Sequence, residues 1–211
     1  MALPPQAYDA FFKDGLPEVA PTLLSLIENR RIVSVVERKT DLSHAVLNRR
    51  LDFVLEALDE YGRSQLIQIE EETGNDAQLA DKLLGQLIAA KAVFGRYPKQ
   101  YVGFLKPSAH RYRRGLDVKD PDGNTVARLY IHPFNFADLP ARPFLELQTP
   151  KAFSFALFCN LAGVSETELR QRFSELLTRL SEKEKDVVAI GATLALHKSY
   201  IRPDFYHYVM Q

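Results

Sequence analysis

Leu51-Asp52-Phe53-Val54-Leu55 and Leu66-Ile67-Gln68-Ile69-Glu70-Glu71-Glu72 decide how this chain is read. Both are apolar, strand-forming runs that place acidic side chains at the ends of two neighbouring strands, and Asp59-Glu60-Tyr61-Gly62-Arg63 supplies turn chemistry between them. Side chains alternate faces along a strand, so Glu70 and Glu72 project the same way and, with Asp52, can point at one ion. Carboxylate oxygens are what a hard cation such as Mg²⁺ or Mn²⁺ takes as ligands, and the spacing fits a divalent-metal phosphodiesterase core. The plainer reading of the same residues is an acidic strand end whose carboxylates are solvated.

Working outward, the β-branched stretch at 31–37 predicts a strand that joins those at 51–58 and 65–71 in an antiparallel meander. Asn75 is placed to cap a helix, with Gln78 reaching back, and Leu79, Leu83, Leu84, Leu87, Ile88 and Ala90 then repeat at helical period up to Phe94. The short apolar run at 100–105 completes a strand, helix, strand order, which predicts a crossover returning parallel to the third strand. Upstream, residues 8–27 carry apolar positions at helical spacing, and Gly15 and Pro17 divide them into two short helices. Downstream, 115–119 and 126–131 flank Pro121-Asp122-Gly123-Asn124 as a hairpin, and the proline-rich stretch 133–150 reads as a connector. From Lys151 the chain is expected to be helical: Ser165-Glu166-Thr167-Glu168 and Ser181-Glu182-Lys183-Glu184 have the capping-box pattern, and Leu169, Phe173, Leu176, Leu177 and Leu180 form a stripe suited to core packing.

The expected fold class is therefore α/β, a mixed sheet flanked by helices with a hairpin extension and a carboxy-terminal helical region. The division places an α/β core with its hairpin at 1–150 and the helical region at 151–211. With 211 residues, 46% of them hydrophobic and 13 phenylalanines, the chain is long enough to bury a real core. Lys plus Arg and Asp plus Glu number 27 each, so a nucleic-acid partner cannot be inferred from bulk charge and needs a local basic patch. His110-Arg111-Tyr112-Arg113-Arg114 is the candidate: arginine forks to phosphate and tyrosine stacks on a base, although the same residues also make an ordinary solvated loop. Cys159 is the one cysteine and lies in an apolar run, which excludes a disulfide framework and predicts a buried thiol. The five histidines lack metal-ligand spacing. A start without a basic segment and a leader-like apolar segment, and the lack of any long apolar run, predict a cytoplasmic protein with no membrane partner.

Three short motifs carry a resemblance. Tyr8-Asp9-Ala10-Phe11-Phe12-Lys13 before a Leu/Ile-rich helix, Arg50-Leu51-Asp52 on a strand, and Ile69-Glu70-Glu71-Glu72 on a strand followed by a long helix resemble, over residues 8–105, the PD-(D/E)XK nuclease family that includes the recombination-promoting (Rpn) nucleases and transposase-like proteins. The resemblance implies a restriction-endonuclease-like fold and a DNA endonuclease dependent on Mg²⁺ or Mn²⁺. Catalytic residues would be Asp52, Glu70 and Glu72, with Asp52 and Glu70 as metal ligands and Arg111, Arg113 and Arg114 on DNA; a homodimer stays open. Glu72 departs from the family's Lys or Gln, and a carboxylate cannot stabilise developing negative charge as an ammonium would. Lys82 and Lys91, which bracket Gln86, or Lys13 can supply that cation, against the plain reading of each as a solvated lysine. The competing readings are a catalytically silent relative that binds nucleic acid or protein, and an unrelated α/β interaction module.

Overall fold

A computed structural model describes residues 7–38, 53–72, 79–104, 114–197, 201 and 203–210. These fall into two compact units, one within Arg30–Phe104 and Ser108–Phe134 and the other within Met1–Asn29 and Asn135–Gln211. The first unit is an α/β fold on a mixed sheet. Strands β1 (Ile32–Glu37), β2 (Phe53–Asp59) and β3 (Ser64–Glu72) form the expected antiparallel meander. Helix α2 (Leu79–Phe94) then crosses over to β4 (Lys99–Phe104), which pairs parallel with β3. A correction enters at the other edge, where β7 (His132–Asn135) lies beside β4 as the fifth strand. It falls in the stretch read as connector because Pro133 lacks the N–H of a ladder residue and so belongs on an edge.

Asp59 anchors the β2–β3 turn. Its side chain is buried; Oδ1 accepts from the Tyr61 and Arg63 amides at 3.0 and 2.9 Å, and Oδ2 from the guanidinium groups of Arg30 and Arg63 at 2.9 and 2.8 Å. Burial alone pushes this carboxyl's pKa up, but the donors of Arg63 and the Tyr61 N–H outweigh it and hold the carboxyl below its usual value. Gly62, at φ 76°, supplies the left-handed residue that the turn needs. The hairpin of β5 (Gly115–Lys119) and β6 (Thr125–Tyr130) forms as expected, closed by the Asn124 amide donating to Asp120 Oδ1 at 2.8 Å. Its Val118 and Leu129 join Ile131, Leu79, Leu83, Val102 and Phe104 in one apolar cluster.

The second unit is helical: α1 (Ala7–Glu28), a 3₁₀ turn (Phe136–Asp138), α3 (Arg142–Leu145), α4 (Pro150–Ala156), α5 (Glu166–Leu177), α6 (Glu182–His197) and α7 (Pro203–Met210). The division expected at residue 150 placed the amino-terminal segment with the sheet, whereas α1 belongs to the helical unit. It is also one helix rather than two, running through Pro17 and Pro21. Each interior proline costs roughly 3 kcal/mol. Complete burial of Leu16, Val19, Ala20, Leu23 and Leu24 offsets that cost. Phe11, Phe12, Phe136, Phe155 and Phe158 make the aromatic centre, with Phe12 and Phe155 edge to face at 4.9 Å between centroids.

Cys159 is the expected buried thiol, and burial pushes its pKa up. Ser165 caps α5 by accepting from the Glu168 amide, and Leu169, Phe173 and Leu176 are buried as the stripe requires. The aromatic tail docks within its own unit: Tyr208 meets Phe173 at 5.8 Å, and Arg170 lies over its ring at 4.5 Å. Among the described residues no helix is long and apolar enough to cross a membrane.

Two outcomes follow. A Cβ on Gly191 of α6 would lie 2.5 Å from Ser154 Cβ of α4. Gly191→Ala should therefore destabilise the protein in urea unfolding, because overpacking costs about 1–3 kcal/mol against a helix-propensity gain of about 1 kcal/mol. On the sheet, hydrogen bonds from Arg38, then Ser64 and Arg96, hold Glu56 down from 4.5 to about 2. A depressed carboxylate contributes stability above its unfolded value that is lost as pH falls, here from 4.5 toward about 2. Arg38→Ala should raise the Glu56 value in a carboxyl NMR titration and shrink that acid loss.

Candidate functional site

Leu79, Leu83, Gln86 and Ala90 are buried along α2, at a spacing that puts all four on the helix face turned toward the sheet. Gln86 is the polar member of this seam. Opposite it, Gln68 and Glu70 occupy alternate positions of β3, and the parallel register sets Gln100 of β4 beside Gln68. All four polar residues are at most 3% exposed. Apolar packing flanks them on both sides, with Val54, Leu66 and Ala90 at one end of α2 and the Leu79–Leu83 cluster at the other.

Burying amides and a carboxylate costs about 1–3 kcal/mol for each group left unpaired, and more for a charge. The structure answers with a continuous chain. Gln100 Nε2 donates to the Leu83 carbonyl and to Gln68 Oε1, both at 3.0 Å. Gln68 Nε2 donates to Gln86 Oε1 at 2.7 Å, and Gln86 Nε2 donates to Glu70 Oε2 at 2.9 Å. Lys82, one turn before Gln86 on α2, places its ammonium on Glu70 Oε1. The acceptors at the two ends set the direction of the chain: a carbonyl and a carboxylate only accept, so Gln100 and Gln86 must each present NH₂ to them. Every amide thus donates toward Glu70. The ion pair is asymmetric in exposure, with the Glu70 side chain 2% exposed and that of Lys82 36%.

The residues expected to act fall as follows. Glu70 is buried and paired, and Glu72, two residues on along the same strand, is also buried and stands opposite Phe104. Asp52, Arg111 and Arg113 lie outside the described residues. Arg114 is exposed just before β5, where its carbonyl accepts from the Ile131 amide at 2.8 Å. Among the described residues no three His, Cys, Asp or Glu side chains come together as a metal-holding group, so Glu70 and Glu72 do not make one by themselves. Of the candidate cations, Lys82 reaches Glu70, Lys91 is an exposed lysine over the Tyr97 ring, and Lys13 belongs to the helical unit.

The side chains of Gln68 and Gln100 were not singled out from the sequence. Their signal was available. A Gln at the inward position of an apolar strand, facing a Gln on the seam of an amphipathic helix, demands a partner. The chain matches no family model, no curated protein and no solved structure with which it was compared.

Gln86→Met preserves length but leaves Gln68 Nε2 and Glu70 Oε2 unserved, and should cost about 2–4 kcal/mol in urea unfolding. Combining it with Gln68→Met should cost less than the two single changes summed, because that removes both partners of one bond. Strict additivity would show the amides to be energetically independent.

Proposed function

We propose that the chain is a divalent-metal-dependent phosphodiester hydrolase acting on DNA, with Glu70 as a metal ligand and Lys82 as the cation beside it. One observation carries this reading: the ammonium of Lys82 sits on the Glu70 carboxylate. Position 72, where the resembled nucleases carry Lys or Gln, holds a glutamate, and α2 delivers the missing charge from twelve residues beyond Glu70. Support also comes from the order of elements. The motifs at 8–13 and 69–72 fall on a helix and on a strand that is followed by a long helix, in the sequence the resemblance implies.

The donor chemistry fits a hard divalent ion. Lys82 and Gln86 reach different oxygens of Glu70, and a carboxylate has about four acceptor sites, so these two contacts do not by themselves bar ligation. Metal-bound carboxylates are ordinarily held by such outer hydrogen bonds. The reading assigns Asp52 as the second ligand. Asp52 lies outside the described residues, next in sequence to Phe53, which pairs with Ile69. A bound ion would polarise the phosphate and lower the pKa of the attacking water. Lys82, the more exposed partner, would put positive charge beside the phosphoryl oxygens on which negative charge develops. Arg111, Arg113 and Arg114 bear on the phosphate backbone.

A second reading has its own observation. Both Glu70 oxygens already accept hydrogen bonds within the protein, which also describes a silent relative whose polar chain only holds α2 to the sheet. Nicking of supercoiled DNA in Mg²⁺ or Mn²⁺ separates the two. Asp52→Ala and Glu70→Gln should abolish it with circular dichroism unchanged, Glu70→Gln also lowering the melting temperature because its NH₂ faces a donor, and Lys82→Met should lower the rate by about 10²–10³. Binding to DNA should survive in all three. Wild-type protein that leaves single-stranded DNA, duplex DNA and RNA uncut with either ion would overturn the hydrolase and establish the silent relative.

A further inference from the structure

The polar chain extends well past what is needed to satisfy one carboxylate. A single glutamine beside Glu70 can turn its amide by half a rotation, presenting oxygen in place of NH₂ and setting two acceptors against each other. Here that turn is blocked in series. Gln86 must keep Oε1 toward Gln68 Nε2, Gln68 must keep Oε1 toward Gln100 Nε2, and Gln100 is held by its second donor bond, to the Leu83 carbonyl. The Leu83 carbonyl, a backbone group of α2, is thus the fixed end of a lock whose other end is Glu70.

From this we infer that Gln100 is a positioning residue for Glu70, acting from β4 through Gln68 and Gln86 to set which directions at the carboxylate remain for an ion; the inference rests on the metal reading above. Three amide dipoles in a row, each with its NH₂ toward Glu70, polarise one another in the same sense, so the effect at the carboxylate exceeds that of Gln86 alone. The hydrogen bonds of Gln100 go to Gln68 and to Leu83, with Gln68 and Gln86 standing between it and Glu70. Its influence on an ion therefore has to pass through the chain. A purely structural role, in which Gln100 only fills space between α2 and β4, predicts loss of stability with no change at Glu70.

The test uses the full-length protein and Mn²⁺ itself, titrated by electron paramagnetic resonance, together with the side-chain NH₂ signals of Gln86 in metal-free protein. Gln100→Met should weaken Mn²⁺ binding about tenfold, and Gln86→Met by about 10–100-fold, the range for removing an outer hydrogen bond from a metal ligand. Gln100→Met should also shift the Gln86 NH₂ signals, although the inferred link between the two side chains runs through Gln68. Leu129→Ala, in the apolar cluster around Leu83, serves as the control for loosening: it should lower the melting temperature and leave Mn²⁺ affinity within twofold. Wild-type protein that binds no Mn²⁺ at millimolar concentration would remove the metal reading and this role with it. Wild-type binding that Gln100→Met leaves unaltered, or that Leu129→Ala weakens as much as Gln100→Met does, would overturn the positioning role alone and leave the metal reading standing.

Discussion

A carboxylate with 2% of its side chain exposed has to be compensated, and much of the sheet unit follows from how Glu70 achieves that. Removing the partner of a buried charge costs about 3–5 kcal/mol, which is comparable to the net stability of a small domain. Two side chains of α2, Lys82 and Gln86, reach Glu70 together, and they do so only when the helix lies with its 82–86 turn over the end of β3. That placement seats Leu79 and Leu83 against Val102 and Phe104, and it gives Val118 and Leu129 of the hairpin a surface to close. The apolar contacts supply most of the stabilisation. The polar ones say where the contacts go.

The distinction matters because an apolar seam by itself tolerates sliding. Advancing α2 by one turn would bring Leu83 or Ala90 to the place of Gln86, exchanging one aliphatic surface for another at modest cost. The amides allow no such exchange, since each misplaced donor or acceptor costs about 1–3 kcal/mol and the chain contains several. Gln100 extends the constraint to β4, so strand, crossover helix and returning strand are held in one register by a single connected set of hydrogen bonds.

Most of this unit could be read from the residues, because its elements announce themselves by period. Apolar, strand-forming runs on either side of a turn gave β2 and β3, the helical stripe gave α2, and the strand, helix, strand order gave the parallel return of β4. What resisted reading had local signals opposed to the tertiary outcome. Pro17 and Pro21 argue for a break that buried leucines override, and Pro133 hides an edge strand inside an apparent connector. Within the site, Glu70 was legible because a carboxylate ending an apolar strand stands out. Gln68 and Gln100 were legible only through their setting, since a strand amide shows its need for a partner once the helix seam opposite it also carries one. Asp52, Arg111 and Arg113 fall outside the described residues, so the sequence remains what speaks for them.

Under the proposed hydrolase reading, Lys82 would supply from α2 the charge that position 72 lacks. Along β3 the position in question holds Glu72, and a reading confined to the strand ends there. A strand and the helix that follows it are neighbours in space, however, and a lysine one turn before the seam position has a stem long enough to cross from helix to strand end. The ammonium arrives at the same carboxylate by a different covalent route. Electrostatics depends on distance and surroundings and is indifferent to that route, whereas a motif records only the route. The more informative property of this glutamate is the company it keeps, which includes an ammonium on one oxygen and an amide on the other, with two more amides behind that one that leave it no alternative orientation.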